Sequence, residues 1–191
     1  MESKTRKRPA LERVVKTADR LFYERGLHAT GVDAIAAEAD VSKATMYTYF
    51  PTKDDLVAEY LRRRSGSWRD VVAERFAEHE GDARSKILLV FDLLGEWFAT
   101  EAFNGCPFIN AEAESTEDSP AHAVNLEHRE WALELFTHLL VEAGAARPEG
   151  PALALVMLYD GCMVGAHTQP GLAWAQSARA AAAVVADAAI G

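Results

Sequence analysis

The sequence predicts an all-α protein in which several short helices precede a bundle of longer ones. Apolar residues recur at helical spacing in nearly every segment, and glycine or proline lies where that spacing stops. With 191 residues, of which 49% are hydrophobic, the chain can bury a substantial core. The longest nearly apolar run, 152–166, is interrupted by Asp160 and is shorter than the roughly 18 residues of a membrane span, so we expect no membrane partner.

The first two predicted helices lie between residues 9 and 39. The first is amphipathic and ends where Gly26 provides a C-terminal cap. Its inward positions are Leu11, Val14, Val15, Ala18, Leu21 and Phe22. We expect Thr30 to cap the second helix, with Asp33 as its capping-box partner three positions later. That helix is predicted to end near Ala39.

The third predicted helix has two contrasting sides. It is expected to be capped by Ser42 and to reach about Phe50. At about 100° per residue, Met46 shares one side with Phe50. The opposite side is formed by Ala44, Tyr47 and Thr48. A helix with an apolar side and a side of small and hydroxyl-bearing groups is suited to pack on a small core and to enter the major groove of DNA.

A fourth helix is predicted after the break at Pro51. Thr52 and Asp55 have the spacing of a capping box, and the helix runs toward Arg64. Lys53 lies at its start, where an ammonium and free backbone N–H groups can converge on one phosphate oxygen. Further helices are predicted between glycine and proline breaks, at 67–80, 83–103, 120–143, 151–168 and 172–190.

Charge divides the chain into two parts. Residues 1–64 hold 13 Lys and Arg against 10 Asp and Glu, a net charge of +3, whereas residues 65–191 hold 7 against 19, a net charge of −12. The first part is suited to a polyanion such as nucleic acid, and the second part would repel one. The two parts are therefore predicted to have different partners.

The stretch VSKATMYTYFPTKDDL, residues 41–56, resembles the TetR-type helix-turn-helix signature. In that signature a Thr-Gly pair precedes a V-S-x-x-T-x-Y-x-Y/H-F-x-x-K-x-x-L string, and the matching positions are Thr30, Gly31, Val41, Ser42, Thr45, Tyr47, Tyr49, Phe50, Lys53 and Leu56. Ala44 departs from the pattern, because glycine is frequent there. The resemblance covers residues 9–60 and implies DNA contacts by Thr30, Ser42, Lys43, Ala44, Thr45, Tyr47, Thr48, Tyr49 and Lys53.

The resemblance also implies an architecture. TetR-type proteins are all-helical homodimers in which an N-terminal three-helix helix-turn-helix domain binds a palindromic operator. Their C-terminal bundle dimerises and binds a small ligand, usually to control repression. The domains expected on this basis are 1–52, the DNA-binding domain with a basic N-terminal arm; 53–66, a connecting helix; and 67–191, the ligand-binding and dimerisation domain.

The last two predicted helices are apolar on more than one side, which would leave hydrophobic surface exposed in a single chain. We therefore expect a homodimer through residues 151–190, with two helices from each chain forming a four-helix bundle. The small residues expected to permit close approach are Ala178, Ala182 and Ala186. The alternative is that these helices are central in a monomeric core.

Aromatic residues of the C-terminal part are candidates for lining a cavity that binds a mostly apolar effector, although the same residues could simply form core. The candidates are Phe91, Trp97, Phe98, Phe103, Cys106, Trp131, Met157, Tyr159 and Asp160. Asp160 either attracts a cationic ligand or pairs with a protein group. Cys106 is either a redox or electrophile sensor or a small buried hydrophobe.

Other classes of protein are disfavoured. No histidine has a glutamate three residues before it, and the chain contains no GxSxG, P-loop or GxGxxG motif, so we expect no enzyme. The two cysteines have neither zinc-site nor CxxC spacing, and we expect no metal or cofactor. The absence of a charged-then-apolar leader predicts a cytoplasmic location. A helical-bundle DNA-binding protein without an effector is the alternative function.

Overall fold

The computed structural model describes residues 3–191, with side chains from residue 9 onward, and every regular element in this part of the chain is an α-helix. The predicted all-α class is therefore confirmed. The helices are α1 (Ser3–Arg25), α2 (Val32–Glu38), α3 (Lys43–Tyr49), α4 (Lys53–Glu78), α5 (Ala83–Phe98), α6 (Pro107–Glu112), α7 (Pro120–Glu142), α8 (Glu149–Thr168) and α9 (Trp174–Ile190). None of the described helices is both long enough and apolar enough to span a membrane.

The helices form two compact units that are not contiguous in sequence. The N-terminal unit comprises Met1–Gly66 together with Pro107–Leu126, and the C-terminal unit comprises Ser67–Cys106 together with Glu127–Gly191. Helices α4 and α7 each contribute residues to both units. The segment around α6, which the sequence analysis placed with the C-terminal part, is thus grouped with the predicted DNA-binding helices.

The core of the N-terminal unit lies where α1 packs against α2 and α3. Ile35 of α2 and Met46 of α3 are no more than 1% exposed, and Phe50 directly after α3 is also buried. The Phe22 and Tyr60 rings lie 5.7 Å apart between centroids and join α1 to α4. The apolar side predicted for α3 is therefore confirmed, and it leaves the opposite side of this helix exposed.

Local capping in the N-terminal unit mostly follows the sequence prediction. Gly26, after α1, has φ +86°, a left-handed conformation that glycine adopts without steric cost. The Ser42 hydroxyl accepts a hydrogen bond from the Thr45 N–H at 3.0 Å and caps α3. Thr52 and Asp55 form a reciprocal capping box, with N–H donors at 3.0 and 3.1 Å.

The predicted cap at Thr30 is wrong. Gly31 is the N-cap of α2, and it makes no side-chain cap bond. The Thr30 hydroxyl instead lies within hydrogen-bond distance of the carbonyl oxygens of Leu21 and Gly26, at 3.1 and 2.8 Å. Because Thr30 is only 2% exposed, its side chain ties the end of α1 to the start of α2 from inside the unit.

The largest differences from the predicted helices concern α4, α5 and α6. The segments 53–64 and 67–80 form one continuous helix, α4, because nothing between them breaks the helical hydrogen bonds. Helix α5 ends at Phe98 rather than near Phe103, and the Thr100 hydroxyl donates to the Trp97 carbonyl at 2.8 Å. Helix α6 was not predicted; it begins at Pro107, a residue that is well suited to the first position of a helix.

In the C-terminal unit, α9 packs against α5 and α8. The Phe91 and Phe136 rings are stacked at 6.0 Å, and Tyr159 meets Phe136 edge-on at 6.3 Å. A side-chain carbon added to Gly165 would lie 2.4 Å from the Trp174 ring, so only glycine permits this approach of the α9 start to α8.

The expectation that Ala178, Ala182 and Ala186 face a second copy of the chain is wrong. These three alanines are 0–6% exposed within the single chain. They lie on the side of α9 that packs against the other helices of its own unit. Small side chains at these positions therefore let α9 approach neighbouring helices within the chain.

Candidate functional site

The exposed side of α3 is the first candidate site. Lys43, Ala44, Tyr47 and Thr48 are exposed along it, and Tyr47 retains 41% of its accessible surface. Because Met46 is buried on the opposite side, the helix is held by its apolar side while the exposed side is presented to solvent. This arrangement matches the geometry by which a recognition helix enters a major groove.

Hydrogen bonds decide which atoms this side of α3 presents. The Thr48 hydroxyl donates back to the carbonyls of Ala44 and Thr45, at 3.2 and 2.5 Å. The Ser42 hydroxyl lies 2.8 Å from the Thr45 hydroxyl while it caps the helix. With its hydroxyl turned to the backbone, Thr48 joins Ala44 in presenting a methyl group.

Charged groups around α2 and α3 are paired with one another. Lys43 forms an ion pair with Asp33 at 2.7 Å, and this carboxylate raises the pKa of Lys43 through a hydrogen bond and its charge. Arg20 pairs with both Glu24 and Glu38. Lys43 is therefore in the exposed position predicted for it but has an acidic neighbour with which a phosphate would compete.

The connection between α2 and α3 is clamped by a side chain of α1. Arg13 donates from Nε to the Ala39 carbonyl at 2.9 Å and from Nη2 to the Asp40 carbonyl at 3.1 Å. Asp40 has φ +52°, in the left-handed region that L-residues seldom occupy. The Arg13 guanidinium therefore stabilises the turn between α2 and α3, in which a residue other than glycine has a positive φ.

Lys53 lies in the first turn of α4, as predicted, and it is half-buried. Its ammonium donates to the Leu27 carbonyl and lies 6.0 Å from the centroid of the Phe22 ring. The side chain is therefore held against the corner between α1 and α2. An ammonium has three donors, so this bond leaves others for a phosphate.

Two other predicted DNA-contacting residues are less available. Thr30 is buried and its hydroxyl faces backbone carbonyls, so the hydroxyl donor expected from it is used inside the unit. Tyr49 is half-buried at the end of α3. The basic N-terminal arm falls on residues 1–8, whose side chains lie outside the described residues.

A second candidate site is a cleft of about 690 Å³ in the C-terminal unit. It lies between the end of α5 and the segment that joins α8 to α9, and Phe98, Phe103, His167 and Leu172 are among its lining residues. The Phe98 and Phe103 rings lie 4.8 Å apart. The lining contains no Asp, Glu, Lys or Arg, so the cleft is suited to an uncharged, partly apolar molecule.

Most of the predicted cavity residues lie elsewhere in the C-terminal unit. Phe98 and Phe103 line the cleft. Trp97 does not line it but packs edge-on against Phe103, with 5.0 Å between the ring centroids. The interior positions outside the cleft lining are Phe91, Cys106 and Tyr159. Met157 was wrongly expected to face inward, because its side chain is 68% exposed on α8.

Asp160 pairs with Arg129, with 2.8 Å between Oδ2 and the guanidinium, so the alternative of a protein partner applies in this structure. Trp131 packs on a different arginine, Arg69, whose guanidinium carbon lies 5.2 Å from the ring centroid. The neighbouring His128 ring lies 5.5 Å from Trp131. Burial, together with the charges of Arg69 and Arg129, lowers the pKa of His128 to about 3.

Glu114 is a candidate functional residue that the sequence does not reveal. Its carboxylate accepts hydrogen bonds from the backbone N–H groups of Leu27 and His28, at 3.2 and 2.6 Å, and it also contacts the His28 ring. Glu114 is separated from these residues by more than 80 positions. No local pattern marks it, because only the packing of the segment after α6 near the corner between α1 and α2 brings these residues together.

Large apolar side chains are exposed on each of the last two helices. Leu153, Met157 and Val164 of α8 are 45–68% exposed, and Val184 of α9 is 70% exposed. The three residues on α8 have spacings of four and seven, which place them on one side of the helix. Within the described residues, no cluster of three or more His, Cys, Asp or Glu side chains is arranged to hold a metal ion.

Comparison with known proteins agrees with this geometry. Residues 14–60 match the family model for bacterial regulatory proteins of the tetR family. The crystal structure of a TetR-family transcriptional regulator from Streptomyces coelicolor is 30% identical, with a TM-score of 0.87 over 96% of this chain and 97% of that one. The HTH-type transcriptional regulator YxaF of Bacillus subtilis, itself uncharacterized, is 25% identical over 159 residues, which are 80% of this chain and 83% of YxaF. The reduced form of Escherichia coli NemR shares the fold, with 20% identity and a TM-score of 0.80 over 91% and 94% of the two chains.

Proposed function

The chain belongs to the TetR family of DNA-binding transcriptional regulators, and from this premise we propose that it is a repressor released from a palindromic operator by a small molecule. The observation that carries the DNA-binding part is the exposed side of α3, which is opposite the buried Met46. In this proposal, the α3 helices of a dimer occupy successive major grooves, about 34–36 Å apart.

Sequence recognition is assigned to the methyl groups of Ala44 and Thr48. The Thr48 hydroxyl is bonded to carbonyls of its own helix, so its methyl group is the part available to a base edge. Among the bases, thymine offers a methyl group in the major groove, and apolar contacts with that group contribute to specificity. Exchanging Thr48 for another residue should therefore change the preferred operator sequence more than the affinity for unrelated DNA.

Phosphate binding is assigned to Lys53 and Tyr47. Lys53 is held at the start of α4, and Tyr47 offers an exposed phenol on α3. Lys53→Ala should weaken specific and nonspecific duplexes alike and reduce the number of ions released by about one. Lys86→Ala, in α5, is the matched control and should leave both quantities unchanged. Duplex binding that is insensitive to salt and to Lys53→Ala would contradict the DNA-binding assignment.

The dimer contact is assigned to residues 151–190, through the exposed apolar side chains of α8 and α9. Burying Leu153, Met157 and Val184 against a second copy would remove large apolar side chains from water. Met157→Glu should yield monomers and weaken operator binding, because two half-sites then no longer act together. Leu126→Glu replaces an exposed leucine of α7 and serves as the control. A dimeric Met157→Glu variant, measured by sedimentation, would place the interface elsewhere.

The effector is assigned to the cleft beside Phe98 and Phe103. Its lining, which contains no Asp, Glu, Lys or Arg, favours a neutral molecule with both apolar and hydrogen-bonding parts. We propose that occupation of this cleft changes the distance between the two α3 helices, and that α4 transmits the change because it runs without interruption from Lys53 to Glu78. A hundredfold loss of operator affinity corresponds to a coupling free energy of about 2.7 kcal/mol.

A thermal-shift screen of neutral amphipathic compounds tests the effector assignment. Compounds that stabilise the wild-type chain should lose this effect in Phe103→Ala and keep it in Phe76→Ala, which removes a phenylalanine outside the cleft lining. Operator DNA should weaken their binding by the same factor by which they weaken operator binding. Equal ligand affinity with and without operator would favour the alternative, a DNA-binding protein that no small molecule controls.

A further inference from the structure

The corner between α1 and α2 is built to hold a negatively charged group. Gly26 is in a left-handed conformation, and the N–H groups of the next two residues, Leu27 and His28, point to the same carboxylate. Successive N–H groups that follow a left-handed residue form a concave site for anions. In this chain the occupant is the Glu114 side chain, which is 24% exposed.

The contact is close and specific. A side-chain carbon added at Gly26 would lie 3.2 Å from Oε1 of Glu114, so the absence of a side chain at Gly26 allows the carboxylate to approach the backbone. Burial alone would raise the pKa of Glu114, but the hydrogen bonds from the backbone of His28, the His28 ring and the backbone of Leu27 outweigh it and lower this pKa. Glu114 therefore stays ionised at neutral pH.

The same corner also holds Lys53. The Leu27 N–H donates to Glu114, and the Leu27 carbonyl accepts from the Lys53 ammonium. Lys53, Leu27, His28 and Glu114 all line one small cleft of about 140 Å³ in the N-terminal unit. A single residue of backbone thus connects the carboxylate to the ammonium that is assigned to a DNA phosphate.

We propose that Glu114 is a positioning residue for DNA binding: it holds the backbone of Leu27 and His28, and the Leu27 carbonyl in turn directs Lys53 toward a phosphate. Glu114 lies outside the helix-turn-helix match at residues 14–60. In this proposal it acts through Lys53 and not by contact with the DNA. This inference rests on the proposed function, because it presumes that Lys53 binds a phosphate.

Whether Glu114→Ala raises or lowers the affinity for DNA distinguishes a positioning role from a purely electrostatic one. Removing a carboxylate from the DNA-binding unit should strengthen binding to a polyanion if only long-range electrostatics acted. If Glu114 positions Lys53, Glu114→Ala should instead weaken binding about tenfold, which corresponds to roughly 1.4 kcal/mol. Glu112→Ala is the matched control, because this carboxylate two positions earlier contacts His122 and Asn125. It should leave affinity unchanged or slightly raised.

A double-mutant cycle on the full chain provides the test. Glu114→Ala, Lys53→Ala and the double variant are titrated by fluorescence anisotropy at several salt concentrations against a mixed-sequence duplex of about 30 base pairs, long enough for two half-sites. We expect each single variant to release about one ion fewer, and the double variant to bind within about twofold of Lys53→Ala alone. Thermal unfolding confirms that each variant is folded. Glu114→Gln, which keeps the side-chain shape and one acceptor oxygen, should show a smaller loss.

The possible outcomes separate a failure of the proposed DNA-binding function from a failure of the positioning role of Glu114. If wild-type chain fails to bind the duplex, the proposed function fails. Suppose that the wild-type chain binds and that Lys53→Ala weakens its binding. The positioning role alone is then overturned if Glu114→Ala has no effect or strengthens binding. It is also overturned if Glu114→Ala weakens binding by the same factor with Lys53 present and with Lys53→Ala. An unchanged affinity in Lys53→Ala also overturns it. A loss in Glu114→Ala that disappears in the Lys53→Ala background supports it.

Discussion

Mild acid should destabilise the protein through one buried side chain, His128. Its side chain is 4% exposed, and its pKa is lowered from 6.5 to about 3 by burial first and then by the charges of Arg69 and Arg129. Because the folded pKa lies below the unfolded one, the folded state keeps the imidazole neutral while the unfolded chain takes up a proton. The stability contribution is fully present above pH 6.5 and is lost as the pH falls toward 3.

The size of the effect follows from the two pKa values. Each unit of pH between them changes the free energy of unfolding by about 1.4 kcal/mol, so lowering the pH from about 7.5 to about 5 should remove about 2 kcal/mol. Carboxyl groups whose pKa is lowered in the folded chain, such as Glu114 and Asp187, have ordinary values of 4.5 and 3.8. Their contribution is lost mainly below pH 5, so His128 accounts for most of the change between pH 7.5 and 5.

Urea unfolding followed by tryptophan fluorescence at pH 7.5 and 5, at one fixed protein concentration, measures the loss. His128→Gln should unfold with little difference between these two pH values, whatever its absolute stability. His138→Gln, at a side chain that is 78% exposed, should keep the wild-type difference. A difference of about 2 kcal/mol that persists in His128→Gln would refute the reasoning.

Three further predictions concern the backbone. Ser42→Ala removes the α3 cap and should lower the free energy of unfolding in urea by about 1 kcal/mol. An unchanged free energy of unfolding would contradict the role of Ser42 as a cap. Asp40→Gly should raise stability by roughly 0.5 kcal/mol, because glycine adopts its φ of +52° without strain, and a lowered midpoint would show that the aspartate side chain stabilises the turn. Gly165→Ala should lower the melting temperature, since its new methyl group would lie 2.4 Å from the Trp174 ring. Gly66→Ala, inside α4 and with nothing within 4 Å, should raise it; equal effects would contradict the packing argument.

Features that depend on neighbours in sequence were predictable. The cap at Ser42, the capping box of Thr52 with Asp55, and the left-handed Gly26 each need only a few adjacent residues. The buried and exposed sides of α3 follow from helical spacing alone. These local rules were sufficient for the fold class and for the location of the candidate recognition helix.

Features that depend on which elements pack together were not predictable. Thr30 has a residue type suited to capping, but the approach of α1 to α2 turns its hydroxyl inward. Ala182 has the small size expected at a helix contact, yet sequence alone does not tell whether the neighbouring helix belongs to the same chain. Met157 is apolar, and its helix carries apolar residues on several sides, so spacing did not reveal that it is exposed.

The division of the N-terminal unit between two stretches of sequence has a consequence for hybrid regulators. A chimera that joins residues 1–66 of this chain to the sensor part of another regulator would carry the α1–α2 corner without Pro107–Leu126. Its Leu27 and His28 amides would then lose the carboxylate that they bind here. Transplanting this DNA-binding head therefore requires three crossovers, after residues 66, 106 and 126, rather than one. An exchange that respects only the linear order of the sequence separates parts that fold together.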